Sequence, residues 1–358
     1  MVAGVVAVVR ATGDEGPPAR PTTTSTAGAG VRVCAVAGSP GTDGVRFRVP
    51  VARALRTAHH RLAVSTSLEA VTGPEDFAQA LERFAAGGCR LVIAAGSEAP
   101  AAVEAAAGAH PETHFAILGA SAPSDGPNVL AVRFHPDQAA VLAGYLACSV
   151  SATGIVGALG GAPTAEVEAT LDGFAAGVQR CQLDVGRGRL LGWDPETRVG
   201  RFAHSPDDVE GGRKAAQVLV THGADVIFAA AGRAGRGAAV VAIGVGDVAM
   251  IGFGTDQGAT AHVPDAWLTS VLEYASRMVR QLVDREVRGS FRPGVLEATL
   301  ANGGVGLSAL RGPAASFSGR VRYALNALRA GLADGTISPE PLPSPTTTPT
   351  PVPEPPSS

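Results

Sequence analysis

Glycine-rich loops are the segments of this sequence that come nearest to known chemical motifs. Gly157–Gly161 has the sequence GALGG and Gly232–Gly237 has GRAGRG, each after an apolar run. Neither has the GxGxxG spacing of a dinucleotide-binding turn, and no Gly-Lys-Ser/Thr sequence completes a phosphate-binding loop. The GxSxG and HExxH patterns of hydrolases are also absent from the sequence. We therefore expect no catalytic residue, no metal ion and no cofactor.

Short apolar runs alternate with segments of helical periodicity, and these elements would position any site. The runs are apolar on both faces, as buried parallel strands are. Each ends in glycine, which lets the chain turn sharply and lets a ligand approach the backbone. This βαβ alternation occurs before and after about residue 125 and predicts an α/β fold with two Rossmann-like lobes and parallel sheets. The runs are Val31–Gly38, Leu91–Gly96, Phe115–Gly119, Ile155–Gly161, Val226–Gly232 and Met250–Gly254.

Composition and charge exclude several classes of protein. The chain has 358 residues, of which 46% are apolar, enough for two hydrophobic cores. Its formal net charge of −3 argues against a nucleic-acid partner bound through bulk charge. No apolar run approaches the roughly 18 residues that a membrane-spanning helix needs.

The two ends of the chain differ in composition from its middle. Residues 1–30 combine a short apolar start with a Pro/Thr/Gly-rich linker, which predicts an atypical export signal or a disordered leader. Residues 337–358 are rich in Pro and Thr, cannot bury apolar surface and are expected to be disordered.

The four cysteines form no CxxC pair and give no support to a zinc ribbon or a thioredoxin site. Cys148 and Cys181 both fall late in predicted helices of one half of the chain, so they are the pair to test for a disulfide. The alternative is that all four cysteines, with Cys34 and Cys89, are small buried hydrophobic residues.

An ordered series of segments resembles one protein family over roughly residues 31–312. The segments are VLAGYLA (141–147), TGIVGALGG (153–161), DGFAAGV (172–178), GADVIFAAAG (223–232), IGFGTDQ (251–257), LTSV (268–271) and GGVGLS (303–308). In this order and spacing they resemble the basic membrane protein family, the purine-nucleoside-type substrate-binding proteins of ABC importers.

The resemblance implies the type I periplasmic-binding-protein fold, in which two α/β lobes are joined by three crossover strands and close on a ligand. Ligands of open α/β sheets bind at the carboxyl ends of the strands, which here are the glycine-ended runs. The expected lobe one comprises 31–121 and 258–288, and the expected lobe two comprises 122–257 and 289–312. A terminal helix is expected at 316–332.

The resemblance also implies a set of ligand-binding residues. Phe47 and Phe202 would be the two faces of an aromatic clamp on a base, each stacking contact contributing roughly 1–3 kcal/mol. The alternative is that both are ordinary core residues. The full set is Asp43, Phe47, Gly96, Phe202, Gly232, Arg233, Gly254 and Asp256.

Three positions depart from the family pattern. Gly119 and Gly254 stand where the family usually has Asp, and Glu273 stands where a lysine is usual. Arg233 and Arg236 add positive charge in a glycine-rich loop. Because carboxylates accept hydrogen bonds from sugar hydroxyls whereas arginine donates to anions, the ligand is expected to be nucleoside-like, or anionic, or without a ribose. A cleft that no longer binds, with arginines that point to solvent, is the remaining alternative.

The predicted function is therefore capture of a small molecule by hinge closure and its delivery to an ABC permease. We expect an extracytoplasmic monomer, secreted or associated with the cell membrane, with no nucleic-acid partner. The alternative is a flytrap module that senses a ligand without transport. An enzyme built on this scaffold is a third hypothesis, which no catalytic set supports.

Overall fold

Strands and helices alternate along most of the chain, as the sequence predicts. The computed structural model describes residues 27–38, 45–96, 99–119, 126–261 and 263–342. Most of the predicted leader and of the Pro/Thr-rich tail lies outside the described residues. No helix in the described part of the chain is both long enough and apolar enough to cross a membrane.

The first lobe is built on a sheet whose strands are all parallel in the described residues. Its spatial order is β13-β5-β4-β3-β1-β2, and alternate β1 residues point to cores on opposite faces: Val33 to one and Cys34 to the other. The strands are β1 (Arg32–Gly38), β2 (Ser65–Val71), β3 (Leu91–Ala95), β4 (His114–Leu118), β5 (Val129–Phe134) and β13 (Gly294–Ala298). The helices are α1 (Val45–Leu62), α2 (Pro74–Ala86), α3 (Ala99–Ala109) and α8 (Ala275–Val287).

The second lobe repeats this plan around a sheet with the order β14-β12-β11-β10-β6-β7, in which β14 is antiparallel to β12. The sheet strands are β6 (Ile155–Gly160), β7 (Arg189–Leu191), β10 (Val226–Ala230), β11 (Ala249–Gly254), β12 (Trp267–Glu273) and β14 (Val305–Leu307). Beside them β8 (Trp193–Asp194) pairs with β9 (Val199–Gly200). The helices are α4 (Pro136–Val150), α5 (Ala165–Val185), α6 (Val209–Thr221), α7 (Gly235–Val245) and α9 (Gly319–Asp334). Short 3₁₀ turns lie at Gly232–Ala234, Gly258–Thr260, Pro264–Ala266 and Gly312–Ser316.

Close contact between α4 and α5 explains two glycines of the family-like segments. A Cβ atom at Gly144 would lie 2.1 Å from the carbonyl oxygen of Phe174, and one at Gly177 would lie 2.0 Å from that of Val141. Both distances are far below van der Waals contact, so only glycine lets the two helix backbones approach this closely. These glycines therefore serve packing within lobe two.

Three connections join the lobes in the described residues, and they lie at other positions than the sequence predicts. Strand β5 pairs with β4 and β13 pairs with β5, so 129–134 and 294–298 belong to lobe one. Strand β12 pairs with β11, so 267–273 belongs to lobe two. The predicted boundaries near residues 122, 258 and 289 are therefore wrong. A strand that is apolar on both faces fits either sheet, and only pairing with its neighbours decides which.

The C-terminal elements also differ in detail from the prediction. Helix α9 begins after Ser318, whose hydroxyl accepts a hydrogen bond from the Val321 amide and so caps the helix. Residues 337–342 lie against α5 and are ordered, whereas the sequence predicts disorder from residue 337 onward. The Arg180 side chain donates to the Ser338 carbonyl at 2.9 Å, and the Leu342 amide donates to the Gln179 side chain at 2.7 Å.

Both pairs of cysteines form disulfides. The predicted Cys148–Cys181 bond joins α4 to α5, and a second bond joins Cys34 in β1 to Cys89 just before β3. The Cα–Cα distances of 6.0 and 6.2 Å lie in the usual range for such bonds. The alternative of four free cysteines is wrong.

Candidate functional site

The carboxyl ends of the two sheets meet between the lobes. All three predicted site glycines follow or end strands there with positive φ: Gly96 at 142°, Gly232 at 56° and Gly254 at 84°. Residues other than glycine would be strained in these backbone conformations. The glycines therefore allow the chain to turn sharply at these strand ends, and at Gly254 no atom lies within 4 Å of where a Cβ atom would stand.

An arginine of lobe one crosses this cleft to lobe two. Arg46, in the first turn of α1, donates through Nη1 and Nη2 to the two carboxylate oxygens of Glu166 at 2.8 and 3.2 Å. Glu166 lies in the first turn of α5, where the helix dipole favours a negative charge. Because α1 follows β1 and α5 follows β6, this ion pair joins the loops at the carboxyl ends of equivalent strands in the two sheets.

Glu273, the last residue of β12, lies against the same ion pair. Its Oε2 is 3.6 Å from Arg46 Nη1, and its side chain is only 3% exposed. Burial raises the pKa of Glu273 to about 7, and Arg46 opposes this rise. The like charge of Glu166 and a hydrogen bond between the two carboxyl groups add to it. The cleft thus contains a buried carboxyl group that keeps its proton to higher pH than an ordinary glutamate does.

The structure places Phe47 in the core of lobe one. Its ring stacks on Phe134 with centroids 5.9 Å apart, and its side chain is almost fully buried. The guanidinium carbon of Arg46 lies 4.7 Å from the centroid of the Phe47 ring. A Cβ atom at Gly119 would lie 3.0 Å from two atoms of this ring. Gly119, which stands where the family usually has Asp, therefore lies so close to the Phe47 ring that a larger side chain would contact it.

Phe202 lies at the carboxyl end of β6 in lobe two. The amide of Gly160 donates to the Arg201 carbonyl, and the amide of Ala203 donates to the Gly160 carbonyl, both at 2.9 Å. The half-buried Phe202 ring meets Trp193 edge-on at 6.2 Å. Both predicted clamp residues thus lie near the carboxyl ends of their sheets, but Arg46 covers the Phe47 ring.

The remaining predicted side chains have partners within lobe two. Both carboxylate oxygens of Asp256 accept hydrogen bonds from Arg311, at 2.9 and 2.8 Å. Arg233 is exposed and forms an ion pair with the exposed Asp207 at 3.4 Å. Asp43 lies outside the described residues. Arg233 therefore points to solvent in the structure. This is the alternative in which the arginines of the glycine-rich loop do not bind the ligand.

The sequence did not predict Arg46 or Glu166 as site residues, and Glu273 stood out only as a departure from the family pattern. One sequence feature could have pointed to Arg46 and Glu166. Each lies in the first turn of a helix that follows a glycine-ended strand, and Glu166 is two residues after the helix-capping Thr164. No pattern in the sequence shows that charges 120 residues apart meet across a cleft.

The chain is similar to known proteins in both sequence and structure. The family model of ABC transporter substrate-binding proteins that are PnrA-like matches residues 51–316. Basic membrane protein B of Borreliella burgdorferi is 32% identical over 146 residues, which cover 41% of this chain and 39% of that protein. Matches to such curated relatives span about two fifths to a half of their length.

Solved structures share the architecture at low sequence identity. An ABC transporter solute-binding protein from Aeropyrum pernix K1 superposes with a TM-score of 0.70 at 20% identity, covering 86% of this chain and 92% of its own. A transcriptional activator of the comK gene from Bacillus halodurans superposes with a TM-score of 0.72 at 18% identity, covering 87% and 100%. At such identities the likeness shows the fold alone, and it confirms the predicted two-lobed periplasmic-binding-protein architecture.

The family match extends over most of the folded chain and includes the whole second sheet, the strands of the first sheet other than β1, the three connections and the residues Glu166 and Glu273. It begins six residues into α1 and ends just before α9. The chain belongs to the family of PnrA-like ABC transporter substrate-binding proteins.

Proposed function

We propose that this protein captures a small solute between its lobes, outside the cytoplasm, and delivers it to an ABC permease. The observation that carries the proposal is the cleft at the carboxyl ends of two sheets, bridged by Arg46 and Glu166. Open α/β sheets bind ligands at this edge. Family membership supports the transport role, since the matching family is one of substrate-binding proteins rather than enzymes.

Hinge closure is the mechanism that the connections favour. Only short segments between β5 and α4, β12 and α8, and β13 and β14 join the lobes in the described residues. A few residues at element ends can absorb a domain rotation. A solute that touches both lobes stabilises the closed form by its differential affinity, and the permease then distinguishes loaded from empty protein.

The disulfides support a location outside the cytoplasm. Such bonds form and persist in oxidising compartments and are rare in the reducing cytosol. The pairs Cys34–Cys89 and Cys148–Cys181 stabilise one lobe each. A secreted or membrane-associated monomer is the form that we propose.

The proposed solute is nucleoside-like. Phe202 stands at the carboxyl end of β6, and Phe47 offers a second ring if Arg46 moves away from it. Gly119 and Gly254 supply no carboxylate where family members usually have one, so the sugar would be bound differently or be absent. Sensing without transport is the alternative, and beyond the shared fold no observation favours it.

Isothermal titration calorimetry tests this proposal. The purified protein is titrated with guanosine, inosine, adenosine and uridine, and each titration is repeated with the Phe202→Ala variant. We expect micromolar or tighter binding of at least one nucleoside, weakened at least roughly tenfold in the variant because one stacking face is lost. Protein that is folded by circular dichroism and binds none of the four would contradict the nucleoside-like site.

A further inference from the structure

The Arg46 head group occupies a pocket whose walls come from both lobes. The Phe47 ring lies on one side, 4.7 Å from the guanidinium carbon. The carboxylates of Glu166 and Glu273 lie at 2.8 and 3.6 Å from Nη1. A flat aromatic face and two carboxylates are the surroundings that suit a planar hydrogen-bond donor.

Arg46 satisfies only part of this pocket. It binds Glu166 through two hydrogen bonds, but the 3.6 Å distance to Glu273 is too long for a hydrogen bond. Among the described residues, no N–H group reaches Oε1 of Glu273, although that side chain is only 3% exposed, and the neighbouring Glu166 carboxylate offers acceptors alone. A buried carboxylate that lacks an N–H donor is costly once it ionises, so a group that donates to it gains free energy.

The charges of the pocket select among solutes. Two carboxylates face one guanidinium, and that guanidinium is already engaged by Glu166. An anionic solute group would meet like charge there and would have to displace this ion pair. A neutral or cationic group with several N–H donors would instead pair with Glu166 and Glu273.

We propose that Phe47, Glu166 and Glu273 form the subsite for a donor-rich solute group, such as a guanidine or an amidine. Arg46 fills this subsite in the empty protein and moves aside when the solute enters. The inference rests on the solute-binding function proposed above and names the chemistry that the cleft prefers. It replaces the anionic solute that Arg233 and Arg236 suggested, because Arg233 pairs with Asp207 at the surface.

Removal of the arginine head group tests the subsite directly. In the Arg46→Ala variant, methylguanidine should bind saturably in calorimetry and raise the melting temperature. Tetramethylammonium, a cation without donors, should bind at least roughly tenfold more weakly. The Arg46→Ala/Glu273→Gln double variant should lose most of the response to methylguanidine, because one carboxylate is removed. Arg46→Met removes the guanidinium but keeps an unbranched apolar side chain next to Phe47, and it replaces the alanine variant if that variant does not fold.

Two results would overturn the inference: no saturable binding of methylguanidine to either arginine variant, or equal responses to methylguanidine and tetramethylammonium. This outcome differs from failure of the proposed function. Methylguanidine reports on the pocket without any natural solute, whereas the nucleoside titrations report on the cleft of the wild-type protein. Rescue by methylguanidine without nucleoside binding would support the subsite and reject the nucleoside.

Discussion

Two arginine–carboxylate clusters lie beside the cleft. They differ in the number of carboxylates per arginine and in whether their residues come from one lobe or from both. Arg311 and Asp256 belong to lobe two and pair one to one through two hydrogen bonds. Arg46 belongs to lobe one and faces two carboxylates of lobe two, one of them buried with an oxygen that no described N–H group reaches. The pair of Arg311 and Asp256 lies within one lobe, so it stays intact when the lobes rotate about the hinge. The second cluster exists only while the lobes are together, so it can respond to a solute.

The largest expected effect is the pH dependence of Glu273→Gln. The raised pKa means that the folded state binds this proton more tightly than the unfolded state. The resulting stabilisation is full below the unfolded pKa and is lost as pH rises through about 7. The glutamine variant should therefore match the wild type near about pH 4 and exceed its free energy of unfolding by up to about 3 kcal/mol near about pH 8.

Urea denaturation across this pH range measures the difference between the two proteins. Glu112→Gln, a change at an exposed glutamate outside the cleft, is the matched control and should show no such trend. A difference between Glu273→Gln and the wild type that does not change with pH would show that Glu273 titrates normally.

The balanced cluster should give a smaller effect that does not depend on the hinge. Arg311→Met removes both hydrogen bonds to Asp256 and a third to the Ala309 carbonyl. Because both side chains are partly exposed, we expect a loss of about 1–2 kcal/mol in the free energy of unfolding. Thermal unfolding beside the exposed Arg329→Met control measures this loss. Equal melting temperatures for the two variants would mean that the Arg311 pair stabilises nothing.

The interlobe ion pair of Arg46 and Glu166 should contribute less to the free energy of unfolding than the pair of Arg311 and Asp256 does. The side chains of Arg46 and Glu166 are 29% and 39% exposed, so solvent screens their attraction. A double-mutant cycle with Arg46→Ala and Glu166→Ala should give a coupling energy of about 0.3–1 kcal/mol in the absence of solute. Strictly additive effects of the two substitutions would indicate that the pair does not hold the lobes together.

The smallest effect is expected at the surface pair of Arg233 and Asp207. Their side chains are 55% and 46% exposed and the charged atoms are 3.4 Å apart. Arg233→Ala should change the free energy of unfolding by less than about 0.5 kcal/mol. It should also leave nucleoside affinity unchanged, as calorimetry can verify. A marked loss of affinity would return Arg233 to the binding site.

The sequence predicted much of the lobe architecture but not the charges that face each other across the cleft. Glycine-ended apolar runs located the central strands, because burial on both faces leaves a continuous apolar run. Short strands such as β13 and β14 lack this signal, so the lobe boundaries near them were wrong. The predicted site residue Asp256 proved to be held by Arg311, a partner 55 residues away that no local pattern reveals.

By itself, the sequence determined that the chain forms two α/β lobes and where sharp turns end the strands, because periodicity and glycine act locally. Only the tertiary structure decided which strands cross between the lobes, which cysteines pair, and that Arg46 meets Glu166 and Glu273. Those contacts depend on how distant segments are brought together, and both the electrostatic energy and the pKa of a buried carboxyl group depend on that proximity.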